Sequence, residues 1–322
     1  LDPGYLTGCK MAIIDAQGNV LDYGAYYLTN SEKLKQEAQK KLAEKIRKFN
    51  VTLLSIGNGT ASYETEQFTS KMIEEEKLDC HYIITNEAGA SVYSASKLAI
   101  DELPDLDVTI RGAVSIARRV QDPLAESVKI DPKSIGVGQY QHDVNQKQLT
   151  HTLDQVVESV VNHVGVELNT ASPAILQHIA GISGTVAKNI VAFRQENGGF
   201  TSRKQLLKVP RLGPAAFTQC AGFLRLNGAK NPLDNTSVHP ESYELAERII
   251  GELGFTLKDL QDKSQLEALQ VKLPLVDVDK MAHKLDAGIP TVRDIIAALA
   301  KPGRDPREDL PAPLTRKHVV SL

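Results

Sequence analysis

Residues 169–226 read NTASPAILQHIAGISGTVAKNIVAFRQENGGFTSRKQLLKVPRLGPAAFTQCAGFLRL. Two short units repeat here, each an apolar helix, a tight turn and a second helix opening on small or basic residues. The first turn is Gly181-Ile182-Ser183-Gly184, and the helix expected after it, from near Thr185, carries Lys188. The second turn is Pro210-Arg211-Leu212-Gly213. Pro214 follows, suited to a first helical position because the N–H it lacks would have had no partner. Ile182 and Leu212 stand in the middle of the turns and are expected to plug between the flanking helices.

Such turns suit phosphate. A tight turn at a helix N-terminus leaves backbone N–H groups unpaired at the positive end of the helix dipole, where a phosphate oxygen satisfies them. Glycine permits positive φ and close approach of another backbone. Recognition of this kind reads the backbone, so it tolerates sequence and weakens with salt.

The stretch resembles the tandem helix-hairpin-helix fold of DNA-binding proteins. The matching elements include Asn169-Thr170-Ala171-Ser172, Ala187 and Ile190 behind the first turn, Arg194, Gly198-Gly199-Phe200 and Leu206-Leu207. The family turn carries glycine on both sides of its apolar residue. Here Ser183 replaces one glycine in the first turn and Arg211 replaces one in the second. The resemblance implies nucleic-acid contacts at Gly181, Ser183, Gly184, Thr185, Lys188, Arg203, Lys204, Arg211 and Gly213. Units of this kind also serve as packing elements that touch no nucleic acid. Charge favours contact: residues 172–229 hold Lys188, Arg194, Arg203, Lys204, Lys208, Arg211 and Arg225 against the single acid Glu196, in a chain of net charge −3.

The whole chain, 322 residues with 42% apolar and 24% charged content, has room for two or three domains of ordinary globular composition. No apolar run is long enough to span a membrane, and no secretory signal pattern is present. Cys9, Cys80 and Cys220 lie far apart without a CxxC pair, which predicts reduced thiols in a cytoplasmic protein and argues against structural zinc. Leu1 reads as the last residue of a strand, and residues 301–322 read as a Pro-rich, charged linker toward a further domain, so the chain reads as a fragment.

Residues 1–126 predict an α/β domain. Strands are expected at 10–15, 20–28, 51–56 and 82–85, and helices at 31–49, 62–76, 93–102 and 112–120. Ser31 is the expected N-cap of the first helix, and Thr60 or Ser62 that of the second, after the turn Gly57-Asn58-Gly59-Thr60. A strand meander followed by alternating helices and strands matches the ribonuclease H-like fold. Nucleases of that fold bring together three carboxylates, and Asp2, Glu87 and Asp122 take those positions here. Converging, they could hold Mg²⁺ or Mn²⁺ for phosphodiester cleavage. Each also has a plain role open to it: Asp2-Pro3-Gly4 as a turn, Glu87 as a cap or ion-pair partner, Asp122 before proline as a turn residue.

Residues 127–168 read as a connecting loop and a helix from about Lys147 to Val164, with Tyr140 a possible base-stacking or domain-bridging residue. Asp2-Pro3-Gly4, Asn86-Glu87-Ala88-Gly89-Ala90-Ser91, Gly136-Val137-Gly138-Gln139-Tyr140-Gln141-His142-Asp143-Val144 and the paired hairpins together resemble the Tex family of bacterial transcription accessory proteins. The resemblance implies a YqgF-like ribonuclease H-like domain (1–126), a tandem helix-hairpin-helix domain (169–228) and a further helical module (229–300), the fold class being α/β followed by all-α. It also implies DNA or RNA and the transcription machinery as partners, with no membrane or small-molecule substrate, and no cofactor for binding. The alternatives are a Mg- or Mn-dependent nuclease using Asp2, Glu87 and Asp122, and a module that chiefly docks protein. Residues 230–322 hold thirteen basic and fifteen acidic side chains, so they carry no phosphate footprint of their own.

Overall fold

The computed structural model describes residues 1–29, 31–301 and 316–317. The expected linker at 301–322 therefore lies, except for Lys301, Arg316 and Lys317, outside the described residues. The chain divides into two compact units, Leu1–Leu149 with the stretch around Arg316, and Thr150 onward.

The first unit is built on one mixed sheet. Strand β1 (Cys9–Ile14) pairs antiparallel with β2 (Val20–Tyr26), through the turn in which Asp15 accepts the Gln17 and Asn19 N–H groups. Helix α1 (Glu32–Lys48) follows, its first turn capped by Ser31 as the sequence predicts. Strand β3 (Leu53–Gly57), helix α2 (Ser62–Glu75) and strand β4 (His81–Thr85) come next, β3 and β4 running parallel across the helical crossover. Leu1 and Asp2 join the two strand pairs. Asp2 exchanges both backbone hydrogen bonds with Lys10 on β1, while the Leu1 N–H donates to Ser55 and the Leu1 carbonyl accepts from Gly57 on β3. The order is thus β2, β1, Leu1–Asp2, β3, β4, which matches the ribonuclease H-like expectation.

Alternation along β1 sends Cys9, Met11 and Ile13 to one face, where Ala38, Leu42 and Ile46 of α1 and Phe68, Met72 and Ile73 of α2 cover them. On the opposite face Ala12, Ile14 and Val20 pack with Leu103, Ile110 and Val114. The predicted helix at 93–102 is two pieces, α3 (Ala90–Ser94) and α4 (Lys97–Glu102), because Ser96 caps the second and breaks the run. Helix α5 (Val108–Gln121) starts earlier than 112, since Asp107 caps its first N–H groups. Short helices α6 (Pro123–Ser127) and α7 (Pro132–Ile135) end the stretch before α8 (Gln146–Val164).

In the second unit, β5 (Val166–Glu167) bridges in parallel to β6 (Leu224–Arg225), closing the tandem hairpins at their base. Between them lie α9 (Pro173–Leu176), α10 (Gly184–Asn197), a 3-10 segment (Arg203–Lys208) and α11 (Pro214–Cys220), which continues as a 3-10 turn to Phe223. The C-terminal module comprises α12 (Tyr243–Glu252), α13 (Lys263–Lys272), α14 (Val278–Leu285) and α15 (Ile289–Ala300) around Ile249, Ile250, Leu269, Leu273, Leu285, Val292 and Leu299. All three cysteines are free and buried, and burial pushes the Cys9 and Cys80 thiols up to about 11. Among the described residues no helix is long and apolar enough to cross a membrane.

Candidate nucleic-acid interface and carboxylate pair

The first hairpin turn is held from three sides. Asn162 on α8 donates to the His178 carbonyl at 2.9 Å and accepts the Ala180 N–H at 3.1 Å. Gly181 then takes φ +80°, and a Cβ there would stand 2.8 Å from Gln219 Oε1 and 3.2 Å from the Ala216 carbonyl oxygen. Glycine is required both for the left-handed backbone and for this approach to α11. Ile182 is buried between the helices, as its position in the motif predicts. Ser183 caps α10, its hydroxyl accepting from Val186. Ser183, Gly184 and Thr185 are exposed, and their backbone N–H groups find no partner among the described residues.

The second turn repeats this path. Arg211 takes φ +66°, Leu212 is buried, and Gly213 is the N-cap of α11. The Leu212 N–H returns to the Val209 carbonyl just as that of Ile182 returns to Ile179. Gly213, Ala215 and Ala216 present unpartnered N–H groups among the described residues, and Pro214 has none to present. The hairpins also brace each other: Asn189 on α10 donates to the Pro210 carbonyl at 2.9 Å. Ser183 and Arg211 thus stand in two turns of the same path. Ser183 adds a cap, and Arg211 puts a cation at the turn.

The basic residues divide. Lys188, Lys204, Lys208 and Arg211 are exposed. Arg203 is not, which corrects its assignment as a phosphate contact. It is 1% exposed, and its guanidinium donates to the carbonyls of Leu224 (2.7 Å), Val238 (2.8 Å), Leu233 (3.2 Å) and Thr236 and to the Tyr243 hydroxyl (2.9 Å). Its backbone N–H meets Asp234, itself buried and bonded to Tyr243. Arg194 turns to the Leu168 and Ala171 carbonyls, and Arg225 to that of Gly222. Three of the seven cations therefore tie loops together inside the unit. The remaining four stand on the hairpins. Sequence reasoning missed Asn162 and Asn189, which bond the turns, and Gln219, which packs against Gly181; polar residues on amphipathic helices carry no local mark of a partner far along the chain.

The C-terminal module repeats the turn twice. Gly254 (φ +85°), buried Phe255 and N-cap Thr256 form one copy, and Asp286 (φ +51°), Ala287 and N-cap Gly288 the other. Neither suits an anion. Asp259 reaches back to the Thr256 N–H at 2.7 Å and fills the first, and the second carries the Asp286 carboxylate and Pro290.

In the first unit, Asp2 and Glu87 meet at the ends of their strands. A Cβ on Gly57 would fall 2.2 Å from Glu87 Oε2, and one on Gly59 1.7 Å from Oε1, so these glycines make the space that the carboxylate occupies. Gly112 on α5 does the same for Asp2, 2.9 Å from its Oδ2. Asn58 accepts the Glu87 N–H. Helix α2 begins after Ala61 in the left-handed region with no side-chain cap, so neither Thr60 nor Ser62 caps it. Burial, and then the neighbouring Glu87 charge, pushes Asp2 up to about 6. Arg119 lies alongside, its Nη1 donating to the Asn86 and Ala88 carbonyls while its buried Nε and Nη2 find no partner among the described residues. Asp122 does not join the pair: its carboxylate accepts the Ala125 N–H and caps α6. Among the described residues no three His, Cys, Asp or Glu side chains gather as a metal-binding group.

Comparison with known proteins agrees with this division. Residues 1–121 match the Tex protein YqgF-like domain, 161–225 the helix-hairpin-helix motif and 231–307 an HHH domain. The module expected only as helical at 229–300 is therefore itself of hairpin type, as its two turns indicate. The chain is 54% identical over 311 residues to Protein YhgF of Escherichia coli, covering 96% of this chain and 39% of that protein. It is 51% identical over 308 residues to the transcriptional accessory protein Tex of Neisseria gonorrhoeae, covering 95% and 39% respectively. With the human S1 RNA-binding domain-containing protein 1 it shares 40% identity over 378 residues, 100% of this chain and 37% of that protein. The chain spans about two fifths of the length of these relatives. Its sheet domain and hairpin modules are thus those of the Tex proteins, and the chain belongs to the Tex family.

Proposed function

We propose that the chain is a nucleic-acid-gripping part of a cytoplasmic transcription accessory factor, holding the phosphate backbone of DNA or RNA at the first two hairpin turns with little sequence preference. The observation that carries this reading is the pair of matching turns, each with N–H groups that find no partner among the described residues and a cation, Lys188 or Arg211, close by. Backbone N–H groups at the positive end of α10 suit a phosphate oxygen, and the four exposed cations add long-range attraction. The names of the relatives in Neisseria gonorrhoeae and human suggest transcription as the setting and RNA as one ligand.

Titration of labelled single- and double-stranded DNA and RNA across a salt series tests the grip. Binding that is insensitive to salt, or absent at low salt, would sink it.

A second reading is a nuclease at Asp2 and Glu87, favoured by their proximity. The residues present do not fit the two-metal site such chemistry needs. Asp122 caps a helix instead of supplying the third carboxylate, and a guanidinium, Arg119, lies beside Glu87. Cleavage with Mn²⁺ that disappears in Glu87→Gln while binding persists would establish that reading.

A further inference from the structure

Strand β4 has two edges, and only one belongs to β3. On the other, the Tyr82 N–H donates to the Arg316 carbonyl and the Arg316 N–H to the Tyr82 carbonyl, each at 2.8 Å. Side chains of α2 surround this bridge. Glu66 Oε1 accepts from the Arg316 guanidinium at 3.2 Å and from the Tyr82 hydroxyl at 2.9 Å. Ser70, one helical turn on, donates to the Lys317 carbonyl at 3.0 Å. We infer that the outer edge of β4, with Glu66 and Ser70, is a docking site for an extended segment bearing an arginine, and that Arg316–Lys317 of this chain are its occupant.

The two backbone bonds would accept almost any residue, so selectivity falls to Glu66. Its side chain is only 12% exposed. A carboxylate so enclosed needs a cation, and a neutral or acidic residue opposite Tyr82 would leave it uncompensated. Ser70 fixes the direction in which the segment runs by reading the carbonyl after the arginine. Docking also covers strand-edge hydrogen-bonding groups that otherwise invite pairing with other chains. The chain leaves the first unit at Leu149 and belongs to it again at Arg316 and Lys317. The inference is independent of the phosphate grip, since none of these residues lies on the hairpins.

Amide hydrogen exchange on the full chain tests it. In Arg316→Glu the Tyr82 amide should exchange at least tenfold faster, while the amides of Leu54 and Ile56 keep their native rates. The charge-swapped pair Glu66→Arg with Arg316→Glu should restore protection at Tyr82. Equal Tyr82 exchange in the native chain and Arg316→Glu would overturn the inference. So would a swapped pair that leaves Tyr82 unprotected while Leu54 and Ile56 remain slow.

Discussion

Arg211 and Gly181 hold the same place in successive hairpins and nearly the same left-handed backbone, φ +66° and +80°, though only one of them is glycine. A residue with a Cβ pays about 1 kcal/mol or more for that conformation. Arg211→Gly should therefore raise stability by roughly 1 kcal/mol in urea denaturation, while removing a cation from the turn. Gly181→Ala should lower it by roughly 2 kcal/mol, because strain adds to the collision with Gln219 and the Ala216 carbonyl. Equal and small effects at both sites would contradict the shared geometry.

Reversing charge on the hairpins should weaken binding without changing preference. Lys188→Glu and Arg211→Glu are expected to reduce affinity for all sequences alike, and to lower the slope of log K against log salt by about one for each lost phosphate contact. Fluorescence anisotropy at several salt concentrations measures both. Unchanged affinity in both variants would remove these residues from the interface.

Arg203 makes the opposite kind of prediction. Loss of its side chain strands the carbonyls of Leu224, Leu233, Thr236 and Val238 and removes the donor to the Tyr243 hydroxyl, while the backbone N–H keeps its bond to buried Asp234. Arg203→Met should cost about 3–5 kcal/mol of stability, as expected for breaking a buried charged network. Arg203→Lys should rescue little of it, because an ammonium cannot reach acceptors spread around a planar guanidinium. A thermal midpoint close to that of the native chain would show the network to be dispensable.

The carboxylate pair predicts a pH dependence with a definite sign. Folding raises the Asp2 pKa to about 6, so the folded chain holds that proton more tightly than the unfolded one. Its contribution to stability is present at low pH and is lost as pH rises from about 4 through about 6, with no further change above. Asp2→Asn should flatten urea midpoints across that window and exceed the native stability at pH 8. Gly59→Ala must move the Glu87 carboxylate, so it should shrink the same window. A native midpoint that rises between pH 4 and 6, with no such difference from Asp2→Asn, would refute the assignment.

Local pattern made much of this chain legible. Alternation along residues 9–26, the helical stripes and the small-apolar-small turns are short-range features, and each appears in the structure within a few residues of its expected place. Gly181 and Ile182 could be assigned to a turn because a glycine suited to positive φ beside an apolar residue is a local pattern. The resemblance to ribonuclease H-like nucleases also marked Asp2 and Glu87 as a possible pair.

Charge was read less well, because composition counts a cation wherever it sits. Whether an arginine faces solvent depends on acceptors distant in the chain: Arg203 turned inward to carbonyls between 224 and 238, and Arg194 to Leu168 and Ala171. Asp122 likewise satisfied the nearest helix end instead of reaching Asp2. The sequence by itself determined the elements and the turns, since these rest on bonds between near neighbours. Only the tertiary structure decided which charges remain available to a ligand, because burial and pairing are set by groups that the chain brings together from far apart.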